Sequence, residues 1–211
     1  MKVEEAYNLW AKTYDSDSNK TRDLDKIVTR ISLTNLEDKN ILELGCGTGK
    51  NTEFLVENSK SVFAMDFSEK MLKVAKEKVK AENVTFKVQD LTKNWELQNE
   101  TFDIVLGNLV LEHIENLKPI FQESFRVLKS NGILFLCELH PFKQIGGSKA
   151  KFSEEEIRIN SFIHDISEFI SAGLEVGFEL VECKEWRKNK NSPLEETPRL
   201  ISFKFSKKVI T

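Results

Sequence analysis

The string Ile41-Leu42-Glu43-Leu44-Gly45-Cys46-Gly47-Thr48-Gly49 is where residue types and spacing could do chemistry. A short apolar run enters a glycine turn, and a helix leaves it through Thr52, Phe54, Leu55 and Val56. Glycine tolerates positive φ and lets a ligand approach the backbone with no Cβ in the way. The first turn of the helix offers unpaired N–H groups and the positive end of a dipole, which suits an anionic ligand group. Spacing then discriminates. A dinucleotide fingerprint reads G-x-G-x-x-G, but here Gly49 comes one residue early and Lys50 takes the last position. Asp66, 21 residues after Gly45, ends a second apolar run, and its carboxylate can accept two hydrogen bonds from a ribose diol. Asp90 ends a third run and supplies another acceptor on the same rim. A glycine loop followed by acidic residues at two successive strand ends points to a nucleoside-bearing ligand.

These groups need a scaffold, and the apolar pattern describes one. Val3, Ala6, Tyr7, Trp10, Ala11 and Tyr14 recur at helical spacing, as do Leu24, Ile27, Val28 and Ile31. From Ile41 a strand–helix alternation begins. Strands are expected at 41–44, 61–65, 84–88, 102–106 and 133–137, with helices between them marked by Met71, Leu72, Ala75 and Val79 and by Leu117, Ile120, Phe121, Phe125 and Leu128. Ser68 is a candidate N-cap. The apolar runs read as strands covered on both faces, the mark of a parallel sheet with right-handed crossovers. Phe178–Cys183 and Leu200–Phe205 follow without an intervening helix, so they should pair antiparallel at one edge. The expected fold is α/β, a doubly wound, Rossmann-like, seven-stranded and mostly parallel sheet with an antiparallel edge strand. Glu43 sits inside an apolar strand, where an unpaired carboxylate is costly. It should accept hydrogen bonds from the glycine turn or from N-terminal residues. Residues 140–160 lack a clear period and contain Gly146-Gly147, which reads as a functional loop.

Composition removes several classes. The chain has 211 residues, 40% hydrophobic and 31% charged, with a formal net charge of −3. That is one globular domain spanning 1–211, with no global basic excess to draw nucleic acid or anionic membrane. Three cysteines, Cys46, Cys137 and Cys183, and three histidines offer no zinc-ligand spacing. No metal is expected. The first residues show no apolar signal region, and no run approaches the length of a membrane span, so a cytoplasmic protein is expected.

E-L-G-C-G-T-G, M-D-F-S-E-K-M-L, Q-D-L and F-D-I-V-L-G-N-L-V-L-E-H-I together resemble the class I S-adenosylmethionine-dependent methyltransferases. The likeness is greatest to their small-molecule branch, related to ubiquinone and menaquinone biosynthesis. It covers about residues 1–140 by motif. The resemblance implies S-adenosylmethionine as cofactor and S-adenosylhomocysteine as product. It puts Gly45, Cys46, Gly47, Thr48 and Gly49 in the cofactor-binding loop along the methionine half, and Asp66 on the ribose hydroxyls. Phe67 and Met71 would flank the adenine. Asp90 would meet the adenine amino group, with Leu91 donating from its backbone. Asn108 and Leu109 would face the methionine chain. Residues 1–35 would form a helical cover, with Trp10 and Tyr14 over the cofactor.

Methyl transfer from a sulfonium is an in-line displacement, so the protein mainly positions the nucleophile. An oxygen or carbon nucleophile also needs a base. His140, after the fifth strand, and His113, one helical turn beyond Asn108, are the candidates, because histidine titrates near neutral pH. Glu138 would bind substrate or hold His140. His164-Asp165 reads as the cap of the helix that follows. The loop 140–160 should act as substrate lid, and Lys143, Lys149 and Lys151 hint at an anionic small-molecule acceptor. The expected assembly is a monomer or homodimer without nucleic-acid or membrane partners. A carrier-protein-bound or other macromolecular acceptor is the alternative. A non-catalytic S-adenosylmethionine-binding protein and a nicotinamide oxidoreductase are others, and the early third glycine argues against the last.

Overall fold

The computed structural model describes residues 3–145, 161–187 and 196–208. Helices α1 (Val3–Trp10) and α2 (Lys20–Ser32) precede an alternating run: β1 (Asn40–Leu44), α3 (Lys50–Asn58), β2 (Ser61–Asp66), α4 (Glu69–Lys78), β3 (Val84–Val88) and β4 (Phe102–Asn108). A 3-10 turn at Leu111–His113 leads to α5 (Lys118–Val127), β5 (Leu128–Leu139) and the short α6 (Pro141–Ile145). The chain ends in α7 (Ile166–Val176), β6 (Phe178–Trp186) and β7 (Leu200–Lys207). No described helix is long and apolar enough to cross a membrane.

The seven strands form one sheet in the order β3-β2-β1-β4-β5-β7-β6. β1 through β5 are parallel, and β7 runs antiparallel to both β5 and β6. The reversed strand therefore lies one in from the edge, and β6 is the edge itself. This follows from chain order: β6 arrives from α7 in the parallel direction, and the return strand β7 inserts between it and β5.

Side chains alternate across the sheet with period two. Leu42, Leu44 and Val105 join Phe121, Phe169 and Phe203 on the face covered by α5 and α7. Ile41, Ile104 and Leu106 join Val28, Leu55 and Leu72 on the face covered by α2, α3 and α4. Burial on both faces explains why these strands are apolar throughout. The second turn of α2 departs from its pattern: Leu24 and Val28 are buried, while Ile27 and Ile31 are exposed. The α5 helix ends at Val127, earlier than the Asn131-Gly132 stop signal, because the chain is already extended from Leu128. Ser68 caps α4 by accepting from the Met71 N–H at 3.1 Å. Glu168 accepts from the Asp165 N–H at 2.9 Å, completing the expected cap on α7.

α7 lies so close to β7 that Gly173 touches a ring. A Cβ there would stand 2.5 Å from Phe205 Cε1. Phe205 is fully buried and cannot retreat. Gly173→Ala is expected to destabilise the fold by about 1–3 kcal/mol, an overpacking cost that outweighs the helix-propensity gain of about 1 kcal/mol. Chemical denaturation would read it, and a stabilised variant would show that α7 can shift.

Candidate functional site

Three strand ends and the N-terminal segment meet at one cavity. Leu44 ends β1 and Gly45–Thr48 follow it, Asp66 ends β2 and Phe67 follows it, and Asn108 ends β4 with Leu109 and Val110 after it. Strand order reverses direction between β1 and β4, the topological switch point where open α/β sheets bind ligands. Tyr7, Tyr14, Arg22 and Asp25 close the cavity from the N-terminal side, and His113 completes the wall. The cavity volume is about 70 Å³.

The glycine loop is built for close approach. Gly45 and Gly47 have φ of +65° and +54°. A Cβ on Gly45 would collide with Val110 Cγ2 at 2.5 Å, so the loop can lie against the β4 turn only as glycine. At Gly47 a Cβ would meet nothing within 4 Å, which leaves its backbone open to a ligand. Asp66 ties the loop to β2. Its carboxylate accepts from the Gly47 N–H at 2.8 Å and the Ser68 N–H at 2.8 Å. Burial raises its pKa to about 6 against those backbone bonds. Glu43 lies beneath the loop. Its partner is neither the glycine turn nor the N-terminal segment but the Thr52 hydroxyl of α3, which donates to Oε2 at 2.6 Å. Burial raises the Glu43 pKa to about 8, the Thr52 bond only partly opposing it.

The N-terminal segment folds over the cavity, but not with both of the side chains expected. Tyr7 and Tyr14 face it; Trp10 does not line it. Trp10 packs with Ala6, Ala11 and Met71 and donates from its indole to Asp17 Oδ2 at 2.7 Å. Helical periodicity identifies the stripe but not which members turn inward. The Arg22 guanidinium lies 4.0 Å above the Tyr14 ring and donates to the Tyr14 carbonyl. Thr48 donates to Asp15 at 2.6 Å, clasping the cover to the glycine loop. Tyr7 Oη shares a 2.8 Å hydrogen bond with His113 Nε2.

Of the other candidates, Gly45, Cys46, Gly47, Thr48, Asp66, Phe67, Asn108, Leu109 and His113 line the cavity. Gly49 instead caps α3 with φ +80°, and a Cβ there would press on Ala75 and Val79 at 3.2 Å. Met71 is fully buried beneath Trp10. Asp90 is exposed, and its carboxylate accepts from the Thr92 N–H at 2.9 Å and hydroxyl at 2.7 Å. Leu91 belongs to the core, and its carbonyl accepts from the Trp95 indole at 3.0 Å. His140 is the largest departure. It follows β5 as expected but is fully buried away from the cavity. Its Nε2 lies 3.1 Å from Glu185 Oε1, and its Nδ1 accepts from the Phe142 N–H at 3.2 Å. The antiparallel β7–β6 pair carries Glu185 over it. Glu138 does not hold His140. Its Oε1 accepts from the Val110 and Leu111 N–H groups, both at 3.2 Å, and so shapes the turn after β4. Residues 146–160 of the expected lid, with Lys149 and Lys151, lie outside the described residues.

The sequence reading missed a polar cluster under the cavity. Asp25 Oδ2 accepts from Asn51 Nδ2 at 3.1 Å, and its Oδ1 accepts from Asn108 Nδ2. Asn108 Nδ2 also reaches Thr29 Oγ1 at 2.9 Å. Lys50 lies beside them, its pKa lowered to about 8 by burial against the attraction of Asp25. The pairings span 26 and 83 residues and leave no local signal.

A methyltransferase-domain family model matches residues 42–136, which run from β1 into β5. The chain is 35% identical over 154 residues to a demethylmenaquinone methyltransferase of Leptospira interrogans, covering 67% of this chain and 61% of that protein. It is 30% identical over 166 residues to a malonyl-[acyl-carrier protein] O-methyltransferase of Bacillus anthracis, covering 73% of this chain and 59% of that one. The chain thus spans about three fifths of these two relatives. A solved S-adenosylmethionine-dependent methyltransferase from Mesorhizobium loti superimposes with a TM-score of 0.75 at 18% identity, over 88% of this chain and 99% of that one. Motif order, sheet order and these matches agree: residues 42–136 carry a methyltransferase domain, on the fold of the solved S-adenosylmethionine-dependent methyltransferases.

Proposed function

We propose that this chain transfers a methyl group from S-adenosylmethionine to a small-molecule acceptor. One observation carries the reading: the open face of Gly47, the Asp66 carboxylate and the Asn108 amide converge on a single cavity at the sheet's switch point. These residues suit the cofactor. Gly45–Thr48 would lie along its methionine half, Asp66 would take the ribose hydroxyls, and Phe67 would lie against the adenine. The sulfonium, when bound, supplies an already activated methyl group.

The rest of the work belongs to the protein. Small-molecule sites run from about 300 Å³ upward, and this cavity measures about 70 Å³. On this reading the cover moves aside to admit a ligand. Tyr7 leaves His113 when it does, so one movement opens the cavity and uncovers the Nε2 of the imidazole. His113 is then the wall group able to take the proton released by an oxygen or carbon nucleophile. His140, pinned between Glu185 and the Phe142 N–H, is replaced in that role. Reclosure over bound ligands would exclude water and fix the line of attack.

His113→Ala is expected to lower kcat roughly ten- to a hundredfold, toward the low end of general-base contributions because the methyl donor is pre-activated. S-adenosylhomocysteine affinity should stay within about twofold, since the interaction removed acts on the acceptor. An equal fall in both would assign His113 to cofactor binding. The relatives' printed names cover both a quinone-type and a carrier-protein-bound acceptor. The similarity to the malonyl-[acyl-carrier protein] enzyme supports a carrier-bound acceptor as the second reading.

The deciding experiment is calorimetric titration of the purified protein with S-adenosylmethionine, S-adenosylhomocysteine and NAD. Saturable binding of the first two alone supports the reading and justifies an acceptor panel of hydroxylated quinones, free carboxylates and malonyl carrier protein. Binding of NAD, or of nothing, refutes it.

A further inference from the structure

His113 stands on the 3-10 turn Leu111–His113. So short a turn does not hold itself, because 3-10 hydrogen bonds are poorly aligned and a run of three residues gains nothing from cooperativity. The approach to it is strained as well. Leu109 has φ +53°, left-handed backbone that a leucine rarely adopts. Two buried titratable side chains meet the turn, one at each end. Glu138 on β5 is 2% exposed, and its Oε1 accepts from the Val110 and Leu111 N–H groups, both at 3.2 Å. Its Oε2 is buried and has no hydrogen-bond partner among the described residues. Burying a carboxylate with one oxygen unpaired is costly, and the two bonds into the turn are what offset the cost. At the exit, His164 Nε2 lies 2.8 Å from the Ile114 carbonyl. A carbonyl only accepts, so Nε2 carries the hydrogen and donates it. Between these two, the Phe162 N–H donates to the Glu112 carbonyl at 2.8 Å.

We propose that Glu138 and His164 are positioning residues for His113: they grip its turn at the two ends and hold the imidazole at the cavity wall. The inference rests on the proposed function for what His113 does there, and not for the grip itself. Tyr7 also holds His113, through Nε2, but Tyr7 belongs to the cover and leaves with it. Glu138 does not move with the cover, because it lies in β5 and pairs with Ile201 of β7 inside the sheet. His164 enters α7, on the other side of the turn. The imidazole therefore keeps its place while the cover is open and an acceptor arrives. At position 138 the requirement is an accepting oxygen and not a charge. Glutamine has one and buries no charge.

The test is carbethoxylation of the full chain with diethyl pyrocarbonate, followed histidine by histidine with mass spectrometry. The side chain of His113 is 13% exposed and that of His140 0%, so His140 reports on the fold while His113 reports on the turn. Glu138→Leu is expected to raise the His113 rate roughly tenfold, the scale on which two lost backbone hydrogen bonds shift a local equilibrium, with His140 still protected. Glu138→Gln should stay within about twofold of the unsubstituted protein, since its amide oxygen still accepts. His164→Leu, acting from the other end, should expose His113 in the same sense, and it decides the matter if Glu138→Leu also unmasks His140. No change at His113 in either leucine variant, or an equal rise in Glu138→Gln, would overturn the inference. Loss of His140 protection in both leucine variants would also overturn it, because the two side chains would then hold the fold and not the turn. Calorimetry of the unsubstituted protein with S-adenosylhomocysteine is a separate arm: failure to bind refutes the proposed function and leaves the grip to be judged by carbethoxylation alone.

Discussion

Glu43→Gln is expected to stabilise the protein at pH 8 by about 2–4 kcal/mol and to change little at pH 4, as read by urea unfolding at several pH values. Glu43 is 4% exposed in the middle of β1, and burial raises its pKa from the ordinary 4.5 to about 8. A raised pKa means that the folded state holds the proton more tightly than the unfolded chain. The stability this contributes is complete below pH 4.5 and is lost progressively as pH rises to about 8. Each pKa unit corresponds to about 1.4 kcal/mol, which sets the upper end of the expected difference. Glutamine keeps the shape and an acceptor for the Thr52 hydroxyl, and has no charge to bury. Asp66, with its pKa near 6, also contributes to the slope of both proteins. The informative quantity is therefore the difference between the two curves. Parallel curves would mean that Glu43 is solvated or paired in a way the 2.6 Å Thr52 contact does not capture.

The same residue illustrates what can be read from sequence. That Glu43 needs a partner follows from an acid inside an apolar strand. That the partner is Thr52 does not, because the two meet only when α3 packs back over β1. The glycine loop, the strand-end Asp66 and the alternation of strands and helices are local patterns set by backbone dihedrals and side-chain period, and they were legible. The contacts that shape the cavity are not local. Asp25 meets Asn108 across 83 residues and Tyr7 meets His113 across 106. His140 stands where the strand pattern puts it, at the end of β5. Its environment is decided by Glu185, brought over it by the register of β6 on β7 and β7 on β5. Trp10 and Tyr7 share one amphipathic stripe, and only packing against Met71 turns the first away from the cavity while the second enters it.

This division bears on how the site works. The strand-end groups sit on the rigid sheet, with core on both faces. The cover instead forms a separate small cluster of Ala6, Trp10, Ala11 and Met71. A segment anchored by few apolar side chains opens at lower free energy than the sheet beneath it. Asn8 and Asp15 also tie it to Ser68 and Lys78 on the α4 side, but two of its hydrogen bonds, Thr48 to Asp15 and Tyr7 to His113, end on residues lining the ligand cavity. Ligand arrival and cover position are therefore coupled through the same atoms.

Asp66→Ala is expected to weaken S-adenosylhomocysteine binding by about 1–3 kcal/mol, roughly ten- to a hundredfold, by removing a charged acceptor from the ribose hydroxyls. It should also cost stability, because the Gly47 and Ser68 N–H groups each lose a 2.8 Å partner. Asp66→Asn should recover only part of either, since an amide has one accepting oxygen where the carboxylate has two. The pH dependence separates a ligand role from a purely structural one. With a folded pKa near 6 in the free protein, Asp66 is ionised above that value and protonated below it. Hydroxyl donors favour the ionised form, so affinity is full above about pH 6 and falls as pH drops through it. In Asp66→Ala that acid limb should vanish. Calorimetry at pH 5, 6, 7 and 8 on both proteins reads it directly. An acid limb that survives the substitution would mean that another group holds the ribose, and the loop-bracing role of Asp66 would then be its only one.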